Sequence, residues 1–232
     1  MKLDKVTDTR RSEARRRYDD ACAATHGMDI IGERWALPVM RELMLGPRRF
    51  SDLRRSLPAL SANVLTQRLD GLEEAGIVER QKLPPPASVQ VYALTPWGRE
   101  AGPVFQALGR WAARSPAHDP TRPFSAVSLM LSLRTMFSAE RAGRKSLRAG
   151  FRFGEETFHF VSDAGAVVIG RGLPEAPDFV LSGETRGVAA LVYGGMPIAD
   201  VESQALLSIE GDRSALARFA TLFPTPAKVG AG

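Results

Sequence analysis

FSDLRRSLPALSANVLTQRLDGLEEAG, residues 50–76, decides how the rest of the chain is read. Its spacing predicts two short helices joined by a tight turn. Ser51 is the cap residue for the first and Pro58 stops it; Ser61 caps the second and Gly76 ends it. Leu60 and Leu65 have the spacing of a hydrophobic staple across the second cap. Leu65, Leu69 and Leu72 fall on one helical face, which must pack inward. Asn63, Gln67 and Asp70 fall opposite. Short polar amides near a helix start are where a recognition helix offers donors and acceptors to base edges. Ser61, Ala62, Val64, Thr66 and Arg68 surround them and are candidate contacts with them. Ahead of that helix, Arg48, Arg49, Arg54 and Arg55 suit phosphate oxygens, and Ser51 is a further candidate DNA contact. An ordinary helical hairpin with a solvated polar face has the same pattern, so the flanking chain must decide.

Charge placement supports the nucleic-acid reading. The net charge is +5 over 232 residues. Residues 1–118 hold all of it, 19 Lys and Arg against 14 Asp and Glu, whereas residues 119–232 hold 12 of each. A polyanion partner is therefore expected for the first half alone. The hydrophobic fraction of 44% allows a core of normal size, in one large or two small domains. The single cysteine, Cys22, excludes an internal disulfide framework and fits a reducing compartment. No apolar run is long enough to span a bilayer, and the start MKLDKVTDTRRSEARRR lacks the apolar stretch of a secretory signal. The expectation is a soluble cytoplasmic protein with no membrane partner.

Working outward, residues 1–20 read as a polar basic arm with Arg10, Arg11, Arg15, Arg16 and Arg17 clustered, either frayed or touching DNA. Residues 22–45 carry two helical segments broken at Gly32; Pro38 fits the second only in its first turn. Arg49 and Phe50 suit a very short strand. After Gly76, two extended runs flank Pro84-Pro85-Pro86 and predict a hairpin with a stiff tip. A basic hairpin directly after a recognition helix is a wing, and Lys82 and Gln90 are its candidate DNA contacts. Thr95-Pro96 opens the next helix, whose apolar stripe is Val104, Phe105, Leu108, Trp111 and Ala112. That stripe is too large for one small domain to bury, so part of it is expected at a homodimer interface; packing on its own domain is the alternative. Residues 21–114 are taken as the first domain. Ser115 to Pro123, SPAHDPTRP, reads as a linker.

From Phe124 the order changes. A helix over 124–137 precedes strands at 146–153, 155–161, 166–171 and 178–181, a helix at 185–193, a strand at 206–209 and a last helix at 213–222. Residues 124–228 are thus an α+β domain, a mostly antiparallel sheet covered by helices on one face. Leu129, Leu133 and Met136 on the helix, with Phe158, Phe160, Val168 and Val180 on the strands, either line an apolar pocket between helix and sheet or fill a solid core.

Catalytic and cofactor chemistry is not legible. His26, His118 and His159 lie far apart with no cysteine partners, so no metal is expected. Glycine-rich phosphate loops and a Ser-His-Asp arrangement are missing, which predicts no cofactor and no enzyme. Cys22 stands at a helix start after three arginines, where a thiolate is favoured; a buried inert cysteine is the other reading.

Residues 22–115 resemble the HxlR family of bacterial winged helix-turn-helix regulators. The resemblance runs through IIGERW (30–35), RELMLGPRRFSDL (41–53), LSANVLTQRLDGLEEAGIVER (60–80), VYALTPWGRE (91–100) and LGRW (108–111). It implies a dimer built from the first helix, with Ile30 and Ile31, and the helix after the wing, with Val104, Phe105, Leu108 and Trp111. Two recognition helices would enter successive major grooves of a palindromic double-stranded site. Many relatives carry a reactive thiol where Cys22 stands. The chain departs from the family in having Ala36 and Pro38 after the Trp, which bears on where the second helix starts. Residues 124–226 resemble the sterol-carrier-protein type 2 fold, chiefly through LVYGGMPIADVESQALLSIEGDRSALARFATLF (191–223). That resemblance implies an apolar small molecule as effector. The expectation is a DNA-binding transcriptional regulator with an effector domain. The alternatives are a thiol-based redox regulator using Cys22, with a structural C-terminal domain, and a lipid carrier whose N-terminal half only dimerises.

Overall fold

The structure, a computed structural model, describes residues 18–85 and 88–230. The first part runs through α1 (Ala23–Ile31), α2 (Ala36–Leu43), α3 (Phe50–Ser56), α4 (Ala62–Glu74), the hairpin β1 (Val78–Lys82) and β2 (Gln90–Leu94), then α5 (Pro96–Glu100) and α6 (Gly102–Ala113). The basic arm expected over residues 1–20 lies, up to residue 17, outside the described residues.

Local chemistry sets these boundaries. Ser61 caps α4, its hydroxyl accepting from the Val64 N–H at 3.3 Å. At the other end Gly76 adopts φ +72°, and paired bonds from the Gly76 N–H to the Glu73 carbonyl and from the Ile77 N–H to the Leu72 carbonyl close the helix. Thr95 caps α5, with Pro96 in the first turn. Pro38 sits in the first turn of α2, where no helical N–H is needed. Two expectations change here. Phe50 begins α3 and is no strand; the extended bridge is Arg48 opposite Tyr92. The cap position of α3 is Arg49 and not Ser51, because the Asp52 carboxylate inside the first turn accepts from the Arg49 N–H at 3.3 Å. The helix expected from Thr95 is also split, since a turn at Ala101 separates α5 from α6 and Pro103 sits in the first turn of α6.

Leu65, Leu69 and Leu72 point down from α4 into a cluster with Val39, Met40, Leu43, Leu53, Leu57 and Ile77. Each such leucine contributes about 1.5–3 kcal/mol relative to exposure. Truncating Leu69, which is fully buried, to alanine would cost about 2–5 kcal/mol.

The second part runs through α7 (Ala126–Met136), α8 (Ala139–Ala142), β3 (Leu147–Phe153), β4 (Glu156–Asp163), β5 (Ala166–Arg171), β6 (Phe179–Gly183), α9 (Thr185–Val192), α10 (Ile198–Ser203), β7 (Leu207–Gly211) and α11 (Arg213–Ala220). The short α8 and α10 lack the long apolar period by which helices are read from sequence. The strands form one sheet in the order β5-β4-β3-β6-β7; only the β3–β6 pair is parallel. The architecture is therefore α+β.

Alternation decides what the sheet buries. Phe151 of β3, Phe158 and Phe160 of β4, and Phe179 and Leu181 of β6 turn inward and are buried. They meet Leu129 and Leu133 of α7 and Phe219 of α11. Phe160, Phe179 and Phe223 each set their rings edge-on to Phe219, with centroids 4.7–5.4 Å apart. The apolar pocket expected between α7 and the sheet is thus replaced by a packed core. Leu129, Leu133, Phe158 and Phe160 belong to that core. Val168 and Val180 do not face it: Val168 pairs with Val161 and Val180 with Gly150, on the other side of the sheet from Phe158 and Phe160, and Val168 is 60% exposed. Met136 borders a cavity that lies elsewhere, between α2, α6 and α7, and the other six residues do not line it.

Candidate nucleic-acid interface

Helix α4 is held on its leucine side and open on the other. Asn63, Thr66 and Gln67 are exposed there, with Ser61 and Ala62 at its start. Among the described residues neither the Asn63 nor the Gln67 side chain makes a hydrogen bond, so both amides are free for a ligand. Thr66 spends its hydroxyl on the Ala62 carbonyl at 3.2 Å. Val64 is half-buried against the core. Arg68 pairs with Glu33 at 2.6 Å and is 20% exposed, which ties α4 to the turn before α2.

The arginines expected on phosphates divide. Arg49 and Arg55 are exposed beside α4, Arg55 with a loose contact to Asp52 at 3.6 Å. Ser51 is exposed on the same helix. Arg54 donates to the Leu60 carbonyl and so fastens the turn between α3 and α4. Arg48 corrects the expectation outright. It is 5% exposed, and its guanidinium donates to the Glu156 carboxylate at 2.6 Å and to the Ser56 hydroxyl at 3.2 Å. A buried guanidinium already neutralised by a carboxylate is not presented to DNA phosphates.

Lys82 and Gln90 are directly opposite each other at the far end of the hairpin, and both are exposed. The hairpin is anchored to α4 by Arg80, which pairs with Asp70 at 2.6 Å and Glu73 at 3.0 Å and lies over the Tyr92 ring. Asp70, which a helical wheel puts with Asn63 and Gln67, therefore serves the wing. Sequence spacing did not reveal this partnership, since Arg80 is ten residues away across a turn.

The expected dimer residues fall into two groups. Val104 is 51% and Trp111 72% exposed, one turn pair apart on α6, with Leu108 between them at 39%. Ile30, Ile31 and Phe105 are half-buried against their own core. Cys22 is exposed at the N-cap position of α1. The buried-cysteine reading is thereby corrected. Its thiol is held below the ordinary range, first by the Thr25 backbone N–H and then by that of Ala24.

Three core helices, a leucine-anchored helix with a polar outer face and an attached hairpin define a winged helix-turn-helix protein. The family model described as HxlR-like helix-turn-helix matches residues 30–119. The uncharacterized HTH-type transcriptional regulator YvaP of Bacillus subtilis is 35% identical over 85 residues, which is 37% of this chain and 79% of YvaP. YodB, an HTH-type transcriptional regulator of Bacillus subtilis, is 39% identical over 83 residues, 36% of this chain and 74% of YodB. The reduced form of YodB aligns at 33% identity with a TM-score of 0.39, covering 43% of this chain and all of that one. The chain belongs to the HxlR family of helix-turn-helix transcriptional regulators. Among the described residues no helix is long and apolar enough to cross a membrane.

Proposed function

We propose that this protein regulates transcription as a homodimer on a palindromic operator, with α4 reading bases and Arg49, Arg55 and Lys82 gripping phosphates. One observation carries the reading: Asn63 and Gln67 are exposed, and unbonded among the described residues, on the outer face of a helix whose other face is locked by three buried leucines. Such a helix is rigid and its amides can reach a major-groove edge. The exposed Val104 and Trp111 support a two-fold contact through α6. Residues 124–228 are read as a separate domain with a sterol-carrier-like fold, supported by the five-stranded, mostly antiparallel sheet and its helices. The lipid-carrier reading is set aside, because the space between α7 and the sheet is filled by phenylalanines. Genomic fragments captured on the purified protein and sequenced test the proposal. A shared inverted repeat is the expected result; recovery of random fragments would refute it.

A thiol-based response is a second reading, favoured by the exposure of Cys22 at a helix start. With one cysteine per chain, any disulfide must be intersubunit or mixed. Oxidant-sensitive DNA binding that persists in Cys22→Ser would end it.

A further inference from the structure

A cavity of about 640 Å³ lies between the two parts of the chain. Its volume is within the roughly 300–1,000 Å³ typical of small-molecule sites. Helices α2, α6 and α7 wall it, and residues 225–228 close one side. Its apolar lining includes Leu37, Phe105, Leu108, Leu131 and Met136. None of the pocket expected between α7 and the sheet is involved except Met136.

Its polar lining is one-sided in charge. Among the described residues Arg41, Arg134 and Lys228 border the cavity and no carboxylate does. Two of these cations are already engaged. Arg41 pairs with Glu42 at 2.9 Å, and the Lys228 ammonium donates to the Ser115 and His118 carbonyls at 3.0 and 3.2 Å. Arg134 is different. Among the described residues it makes no hydrogen bond or ion pair, and its buried Nε has no partner. Burial holds its pKa below the ordinary arginine range, the sign of a guanidinium short of solvent and of counter-charge. Beside it the Ser132 and Tyr193 hydroxyls share a hydrogen bond of 2.7 Å at the cavity wall. An apolar chamber with one unpaired guanidinium fits a molecule with an apolar body and one negative end.

We propose that this cavity is an effector site for a small amphipathic anion, its apolar body between α6 and α7 and its carboxylate on Arg134. The regulatory part rests on the transcriptional-regulator reading above; the binding part does not. Position supplies the coupling. The cavity touches α2, whose other side packs under α4, and α7, the first helix of the second core. An occupant that prefers one arrangement of α2 against α7 shifts the population in which α4 is set for DNA.

Calorimetric titration of the full chain with decanoate, decan-1-ol and decyltrimethylammonium tests the site. The wild-type chain is expected to bind decanoate and to disfavour the cationic analogue. Arg134→Gln should weaken decanoate by about tenfold or more and leave decanol within about twofold, as loss of a charge-assisted hydrogen bond dictates. Arg134→Lys should keep most of the preference for the acid. Ser128→Phe, which fills the chamber, should abolish binding of both. Absence of decanoate binding, equal loss of acid and alcohol in Arg134→Gln, or undiminished binding in Ser128→Phe would each overturn the proposal. The wild-type preference between head groups decides the matter even if a variant does not fold. Saturating decanoate should also change affinity for a captured genomic fragment by about fivefold or more. Binding with unchanged DNA affinity would overturn the effector role. A chain that holds no DNA under any condition would refute the regulator reading, while the titrations would still decide the site.

Discussion

The Arg48 guanidinium donates to the Glu156 carboxylate at 2.6 Å, joining the turn before α3 to the first residue of β4. The same carboxylate oxygen accepts from Arg171 at 2.9 Å, and Arg171 reaches back to the Leu45 carbonyl at 3.1 Å. Residues 108 positions apart thus share one ion-pair cluster at the junction of the two cores. Glu156→Gln should leave the buried Arg48 without its counter-charge and lower stability by about 1–2 kcal/mol, less than a fully buried pair because the carboxylate is part-exposed. Urea unfolding measures this; an unchanged midpoint would mean the cluster is only incidental.

The arginines should separate by role. Arg49→Ala should weaken binding to specific and random DNA alike and flatten the salt dependence. Gln67→Ala should lose about 1–3 kcal/mol at particular bases only. Arg54→Ala should instead loosen the α3–α4 turn, since its guanidinium holds the Leu60 carbonyl. Anisotropy titrations on operator and scrambled DNA distinguish the three patterns.

Trp111→Glu puts a charge in the most exposed part of the α6 stripe. If α6 forms the two-fold contact, the variant sediments as a monomer at micromolar concentration while the parent is a dimer. A monomeric parent would sink the interface.

Cys22 should alkylate with a pH profile displaced to lower pH in the folded chain than in urea. The backbone N–H groups of Thr25 and Ala24 stabilise the thiolate only when α1 is formed, so more thiolate is present at a given pH. Iodoacetamide rates against pH give the midpoint directly, and coincident profiles would count against the helix-start effect.

Tyr193 is pushed up to about 12, chiefly by burial of its phenol, with the Ser132 hydroxyl opposing. The folded value exceeds the unfolded one, so the neutral phenol adds stability in full below the unfolded value, near pH 10. That contribution declines as pH rises toward 12. Ultraviolet titration should find one of the three tyrosines ionising late. Tyr193→Phe should flatten the alkaline limb of the stability curve.

The sequence by itself determined the helix-turn-helix. Its elements are specified locally: the Ser61 cap, the Gly76 terminator, the leucine period of α4 and the Thr95-Pro96 start act within a few residues, and each recurs in the structure. Alternation likewise located the strands of the second part. Partner choice was not local. The sequence counts Arg48 with Arg49, but only folding brings Glu156 to the first and leaves the second in solvent. It offers Val168 and Phe158 to one pocket, whereas the register between β4 and β5 sets them on opposite faces. The cation-lined cavity had no sequence trace at all, because Arg41, Arg134 and Lys228 come from three distant segments. Tertiary structure decided these points, since pairing and burial depend on which surfaces meet, and that depends on the sum of contacts across the whole chain.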